Sequence, residues 1–592
     1  CDHATSHAYN PTLPCPQQLR CMNFAQANLS APYLSRWITC PTTSQRRPPL
    51  GRRRISVTRA IKGEAELDSG TLESKGSDLE LWSRRQMMEL GAASALLAQG
   101  VSPAVAATPS PFTDAAAGMQ DRCSDFLLPN GMRFIVLPRH NAPIVSCHIF
   151  ANVGAADEPD RLTGIAHLLE HMAFKGTQTI GTRDFAQEAA ILDECDREFY
   201  AARAARDAGD HIAEAGHLSE LKACEARAAE LQIPNAYGSL MSQAGGVGLN
   251  ASTSHDSTQY YVSLPANKLE LWMAVESARW RAPVFRELYA EKEVIKEERR
   301  MRVDNSRLGA FTERFLSEAF PDAPYGRPVI GEPGEFARLG RAEVEAFFLA
   351  NYQPPALTCA VVGDVHPQQV RELAHRYFGE WNPPSLSPSE LATWRSDAAP
   401  AGDARRDGPK SFSMTLPAGP YLQEGYYRPP FTDADAVVMD VISDLLSGSR
   451  SARLYKNLVE TGKALYVTCY DSFPQDKLPT LFVLAGVPGP GRSTQDLSRD
   501  FRRELQALAD EPVSREELLR VRKSVRAGLL ALMGSNSEMA SLLSQYQALR
   551  GDYRLIFDEP ARVQEVTAAD VQRVAKDLFQ DQNCISGSVL KA

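Results

Sequence analysis

The sequence predicts a mixed α/β (α+β) body: two related units, each a mixed sheet with helices, joined by a linker. Three observations predict it. Strand-like and helix-like stretches follow one another at similar spacing in both halves of the chain. Between the halves, residues 383–411 are rich in Pro, Ser, Asp and Ala and carry little periodicity. The composition, 43% hydrophobic and 23% charged over 592 residues, is ordinary for a globular chain and excludes a wholly disordered or fibrous one.

The head of the chain differs from the body. The net charge is −9, yet residues 1–60 hold eight Arg, no Lys and the single acid Asp2. An Arg-rich, Ser/Thr/Pro-rich, acid-poor stretch has the composition of an organelle transit peptide, so 1–60 is expected to be one. The first residue is Cys1, so further residues are expected upstream. Within 61–106, Ser83-Arg84-Arg85-Gln86 precedes an Ala/Leu run that ends in Pro103-Ala104-Val105-Ala106. Charged pair, short apolar run and small-residue exit follow signal-peptide order, and the paired arginines resemble a twin-arginine signal. The two signals together resemble the bipartite address of thylakoid-lumen proteins, which places the mature chain in the chloroplast lumen, with the stroma or mitochondrion as alternatives. No later segment is apolar enough to span a bilayer. A mildly acidic chain is also a poor nonspecific DNA binder. The body's seven cysteines are scattered, odd in number and without a CxxC pair, so they predict neither a disulfide scaffold nor a thiolate zinc site.

Residues 107–125 read as a lead-in to an N-terminal unit over 126–382. Phe126–Leu137 has the Asn130-Gly131 turn of a hairpin. Ile144–Val153 reads as a strand and Thr163–Phe174 as a helix. Residues 187–231 are rich in Ala, Glu and Arg, lack Pro and break at Ala208-Gly209-Asp210, which predicts two antiparallel helices. Gly248–Leu264 returns to β character. Lys268–Ala282 and Pro283–Asn305 read as helices, and Ala356–Val362 as a strand ending at Gly363-Asp364. In the C-terminal unit, 412–592, the pattern restarts with a strand at Ser411–Pro417. Helices follow at Asp433–Leu446 and Ala452–Glu460, a strand at Thr480–Val487, and a long helical region over Ser514–Gly551.

The chemistry is concentrated at His167-Leu168-Leu169-Glu170-His171. On a helix, positions i and i+4 share a face and i+3 lies beside them. Two such imidazoles can donate lone pairs to one tetrahedral Zn²⁺. The carboxylate between them can take a proton from a water beside the ion. By composition the expected chance count of H-x-x-E-H in this chain is roughly 0.01–0.02. A solvated helix with two surface histidines is the bland alternative, but Leu168, Leu169, Met172 and Phe174 make the surroundings apolar. A third ligand is needed, with one position left open. The acidic stretch Arg286–Arg300 offers Glu287, Glu291, Glu293, Glu297 and Glu298. Glu291 and Glu298 lie two turns apart on one face, and composition does not choose between Glu297 and Glu298.

His167-Leu-Leu-Glu-His-Met-Ala-Phe-Lys-Gly-Thr177 resembles the inverted zinc motif of the pitrilysin/insulinase peptidases, the inverzincins. Glu291-Lys-Glu-Val-Ile-Lys-Glu-Glu298-Arg-Arg resembles their downstream acidic segment. Pro324-Tyr-Gly-Arg-Pro-Val-Ile-Gly331 and Val362-Gly-Asp364 also fit. The resemblance implies one Zn²⁺ per chain, held by His167, His171 and Glu298, with Glu170 catalytic and Glu291 a supporting catalytic acid. It implies a zinc endopeptidase of short or unfolded peptides, two homologous domains forming half of a clam-shell chamber, and closure of that chamber by dimerisation. The short two-domain members, among them the zinc-bearing subunit of mitochondrial processing peptidase, match in length. From His171 to Glu298 is 298 − 171 = 127 positions, longer than the family's usual spacing, so 192–238 is expected to be an insertion.

Leu249–Ser254 resembles the family's edge strand beside the metal, which makes Asn250, Ala251 and Thr253 candidate substrate contacts through strand addition. In many members an Arg and a Tyr seven residues later also hold substrate. Here Tyr466 is kept, but Val459 stands where the Arg is expected. A partner subunit is therefore expected to supply the missing donor, in a homo- or heterodimer. The rival reading is a non-catalytic assembly subunit, since the family contains core-like members of larger complexes. No nucleophile elbow or phosphate loop supports another hydrolytic chemistry.

Overall fold

In a computed structural model, the described residues are 118–591 without 307, 322, 385 and 395–408. The expected transit segment (1–60), the lumen signal (61–106) and part of the linker lie outside them. The first sheet contains β1 (Ser124–Leu127), β2 (Arg133–Pro138), β3 (Ile144–Ala151), β4 (Val247–Thr253), β5 (Thr258–Pro265) and β6 (Leu357–Gly363). Its order is β1-β2-β6-β3-β5-β4. The second contains β7 (Lys410–Leu416), β8 (Tyr421–Arg428), β9 (Ala464–Phe473), β10 (Thr480–Pro488) and β11 (Cys584–Lys591), in the order β7-β11-β8-β10-β9.

Without β1 the two orders are the same, strand for strand. Each has one parallel pair, β2 with β6 and β7 with β11, and is otherwise antiparallel. The fold is thus mixed α/β with two topologically equivalent halves, as the spacing predicted. Central and edge strands differ in the way their sequences require. Central β6, Leu-Thr-Cys-Ala-Val-Val-Gly, is buried throughout, while β5 alternates buried and half-buried residues along Thr258–Pro265.

Four helices of the first half matter to the site: α1 (Ile165–Met172), α2 (Phe185–Asp207), α3 (His211–Leu231) and α4 (Leu288–Arg299). The expected helix over Pro283–Asn305 begins later, because Glu287 takes a left-handed conformation (φ 59°) that no helix interior accepts. The expected 452–460 helix is reduced to a wide turn over Tyr455–Val459. The 514–551 region breaks at Gly534-Ser535, where the Ser535 side chain caps a new helix by accepting from Glu538 N–H. Strand β1 begins at Ser124, inside the stretch expected to be lead-in.

The halves are interlocked. Helix α5 (Gly309–Ala319) leaves the first half and places Phe311, Phe315, Leu316 and Ala319 in one apolar cluster with Leu481, Val483, Ala485, Ile585 and Val589 of the second sheet. In return α6 (Ala436–Ser447) stays at home, but α7 (Asn536–Arg550) packs on β3 and β6 of the first sheet. There Ser544 Oγ lies 2.8 Å from His148 Nδ1, in a fully buried contact. Each sheet has a second apolar face that its own half leaves uncovered, so the described residues form one compact unit.

Candidate metal and catalytic site

Helix α1 opens at Gly164, whose φ of 86° suits glycine. A Cβ there would meet Ile330 O at 2.6 Å and Gly331 Cα at 2.9 Å, so the 324–331 loop packs directly under the helix start. Glu158 supplies the cap that Gly164 lacks. Its carboxyl oxygens accept the N–H groups of Gly164 and Ala166, both at 2.9 Å. Burial pushes Glu158 up to about 8 in spite of those bonds.

From this anchored helix His167 and His171 project side by side, their rings 4.8 Å apart and nearly perpendicular. Helix α4 packs alongside and delivers Glu298. Glu298 Oε2 lies 3.7 Å from His167 Nε2 and 3.4 Å from His171 Nε2. One ligand atom from each of the three residues falls within 4.8 Å of the others, the only such group among the described residues. Between Glu297 and Glu298 the fold therefore selects Glu298; Glu297 pairs with Arg300 on the exposed side of α4.

The electrostatics fit a cation. Burial, reinforced by His171, lowers His167 to about 3, so this imidazole is neutral. Its Nδ1 is buried without a hydrogen-bond partner, and its Nε2 faces the Glu298 carboxyl at 3.7 Å, beyond hydrogen-bond range. Burial also opposes charge on His171, but hydrogen bonds with Glu291 and Glu298 prevail and raise it to about 10. Burial raises Glu298 too, yet His171, His167 and Arg302 overcome this and hold it at about 2. A cluster that grips a proton so firmly suits two imidazoles and a carboxylate around one zinc ion, with a coordination position left open.

Glu291, expected as a supporting acid, lies against His171 and Lys175. Its Oε1 lies 2.9 Å from His171 Nδ1 and its Oε2 2.6 Å from Lys175 Nζ. It fixes the His171 ring with Nε2 towards Glu298, which makes it a positioning residue. Burial raises its carboxyl, but His171 and Lys175 outweigh that and leave it below the usual carboxylate range.

Glu170 points from α1 towards β4. Thr253 Oγ1 donates to Glu170 Oε2 at 2.6 Å. Burial raises the Glu170 carboxyl above its usual range, with His171 and Thr253 pulling the other way. Strand β4 pairs with β5 alone and is the sheet edge next to α1. Asn250 is exposed and Ala251 buried on that strand. Asn250 Nδ2 donates to Tyr261 Oη at 3.3 Å. Thr253, expected to contact substrate, is thus joined to the Glu170 carboxyl. Tyr466 lies on β9, the topological counterpart of β4, and is 52% exposed.

Among the described residues, the second half carries no such set. Its counterpart of α1 is α6, Ala-Val-Val-Met-Asp-Val-Ile-Ser-Asp-Leu-Leu-Ser, which lacks histidine. Three residues escaped the sequence reading: Lys175, Arg302 and Glu158. Lys175 is four residues after His171, and Arg302 is four after Glu298, whose Oε1 it meets at 2.9 Å. Helical spacing could have found Arg302, whereas Lys175 lies past the end of α1 and reaches Glu291 only through packing. Glu158 has no local signal, since its role depends on how a loop folds back on α1.

Residues 134–192 and 233–333 match the family described as Insulinase (Peptidase family M16), and residues 338–525 match Peptidase M16 inactive domain. The unmatched stretch between 192 and 233 coincides with most of the α2–α3 hairpin. The zinc protease PqqE of Helicobacter pylori is 24% identical over 461 residues, 77% of this chain and 89% of that one. An uncharacterized zinc protease of Mycobacterium tuberculosis is 25% identical over 479 residues, 79% of this chain and 92% of that one. Among solved structures, a protease from Helicobacter pylori superposes with a TM-score of 0.65 at 21% identity, covering 79% of this chain and 99% of that one. A peptidase M16 inactive domain from Pseudomonas fluorescens gives 0.60 at 13% identity, covering 79% and 98%.

Proposed function

Because the chain belongs to the insulinase family of peptidases, we propose that it is a zinc-dependent endopeptidase acting on short or unfolded peptides. The observation that carries this reading is the convergence of His167, His171 and Glu298 beside a carboxylate, Glu170, that is not a ligand.

His167, His171 and Glu298 would hold one zinc ion per chain. When bound, that ion supplies Lewis-acid polarisation of a carbonyl and lowers the pKa of a water towards about 7. An extended peptide lies along β4 as an additional strand, its backbone bonded to the 247–253 edge, with Asn250 and Ala251 beneath it. Backbone recognition of this kind tolerates many side chains. Glu170 takes a proton from the attacking water and returns it to the leaving amine. Burial raises its pKa, which favours the return of the proton to the leaving amine. Thr253 fixes the carboxylate while the proton moves.

Tyr466 contributes to substrate binding from the second half, and a second subunit supplies the donor that Val459 does not. The enzyme works as a homo- or heterodimer in the thylakoid lumen, where it clears cleaved signal or transit fragments. Metal analysis and peptide digestion of chain 107–592, with and without candidate partner chains, test the proposal. One zinc per chain, peptide cleavage, and loss of cleavage with zinc retained in Glu170→Gln are expected. A chain that binds no zinc refutes the metal site. A chain that binds zinc but cleaves nothing under any pairing is an assembly subunit instead.

A further inference from the structure

The α2–α3 hairpin contains two cysteines that the metal site does not use. Cys195 on α2 and Cys224 on α3 are 2% and 1% exposed and share one apolar cluster with Phe199 and Leu221. The two residues belong to the same buried cluster where the antiparallel helices pack against each other. Arg227, one turn after Cys224, places Nη2 3.0 Å from Cys224 Sγ. The Arg227 side chain is 50% exposed and pairs with Glu194 at 2.7 Å, so Cys224 lies just beneath the surface, under a guanidinium. All seven cysteines from 123 onwards are free thiols in this structure. Another pair of neighbours, Cys147 and Cys359, sits on adjacent central strands but opposite Val361 and Ile149, deep beneath helices on both faces.

We propose that Cys195 and Cys224 form a reversible disulfide that staples the hairpin behind the helix carrying Glu291 and Glu298. Arg227, held over Cys224 Sγ and half-exposed, can offer N–H donors to the oxygens of an incoming peroxide, which makes Cys224 the attacking sulfur. With a hydroperoxide as oxidant, the thiolate attacks the terminal peroxide oxygen. The O–O bond breaks, and the other oxygen leaves as an alcohol after taking up a proton. Cys224 then carries a sulfenic acid. Cys195 Sγ attacks that sulfur, the S–S bond forms, the S–O bond breaks and water leaves. In sum, two thiols and one hydroperoxide give one disulfide, one alcohol and one water. The two electrons lost by the sulfurs reduce the peroxide. A dithiol reductant reverses the change by exchange.

The bond matters to the site through α2. Phe199 stacks on Tyr289 of α4 with ring centroids 4.5 Å apart, and Tyr289 Oη donates to Asp196 Oδ1 at 2.6 Å. Asp196 follows Cys195, and Tyr289 is two residues before Glu291. Joining α2 to α3 therefore secures the surface on which the ligand-bearing helix rests.

The test is thiol mapping on the full chain. The protein is treated with tert-butyl hydroperoxide, denatured, alkylated and digested without reductant. One cross-linked peptide pair joining Cys195 to Cys224 is expected, with two fewer alkylated thiols, both restored by dithiothreitol. Arg227→Gln is expected to slow formation of the link, without a need for either cysteine to be replaced. Cys195→Ser should abolish the link and leave Cys224 oxidisable. Recovery of both cysteines singly alkylated after oxidation overturns the proposal, as does a link from either one to a different cysteine.

Discussion

Thr253→Val removes one hydroxyl and almost nothing else, since the two side chains have the same shape. The lost group donates to Glu170 Oε2 at 2.6 Å. A donor to a carboxylate favours the ionised form, so its removal raises the pKa. Burial already pushes Glu170 upward, and the variant loses part of what resists that push. A hydrogen bond to a charged group contributes about 1.5–3 kcal/mol. At about 1.36 kcal/mol per pH unit this becomes a rise of about one to two units. The general base must be ionised to accept a proton, so the acid limb of kcat/KM should move up by that amount. The plateau above it should fall less than the activity at low pH. A quenched fluorescent peptide assayed across pH, with zinc content checked at each point, measures both. An acid limb that stays in place in a folded, zinc-loaded variant would refute the role assigned to Thr253. A change confined to KM would return Thr253 to the substrate-binding role that its strand first suggested.

Three further outcomes follow from the same contacts. Glu291→Gln should weaken zinc affinity by about 10–100-fold in chelator competition, because it no longer fixes the His171 ring or neutralises Lys175; unchanged affinity would contradict the positioning role. Asp256 accepts Lys477 N–H at 3.0 Å and Tyr325 Oη–H at 2.8 Å, joining the two halves, and burial with Asp476 raises it from 3.8 to about 7. A carboxyl raised on folding stabilises in full below 3.8, and that contribution is lost as pH rises through about 7. Asp256→Asn stays neutral, so its melting temperature should match wild type below about pH 3.8, exceed it by a growing margin up to about pH 7 and keep that margin above; an offset independent of pH would argue against the titration. Leu543, fully buried on α7, should cost about 2–5 kcal/mol when changed to Ala. Denaturant unfolding should remain one transition, shifted as a whole, whereas a second transition would show that the halves unfold separately.

The helical part of the candidate metal site was legible because helical periodicity is local. His167, Glu170 and His171 share a face by spacing alone, and the apolar residues between them set the burial that keeps His167 neutral. The hairpin was legible for the same reason: long Ala/Glu/Arg runs without Pro, interrupted by Ala208-Gly209-Asp210, became α2 and α3 with only small differences in their ends. Strands β8, β9 and β11 were missed because strand signals are short and depend on neighbours far away in sequence.

Sequence alone determined that two histidines and a carboxylate share one face of a single helix. Only the tertiary structure chose Glu298 over Glu297, because one-residue offsets on α4 point in different directions and packing against α1 decides which faces the histidines. It also turned Thr253 towards Glu170, seated Glu158 under α1, exchanged α5 and α7 between the halves and set Cys195 against Cys224. Each is a contact between distant segments, and no local spacing encodes where two surfaces meet.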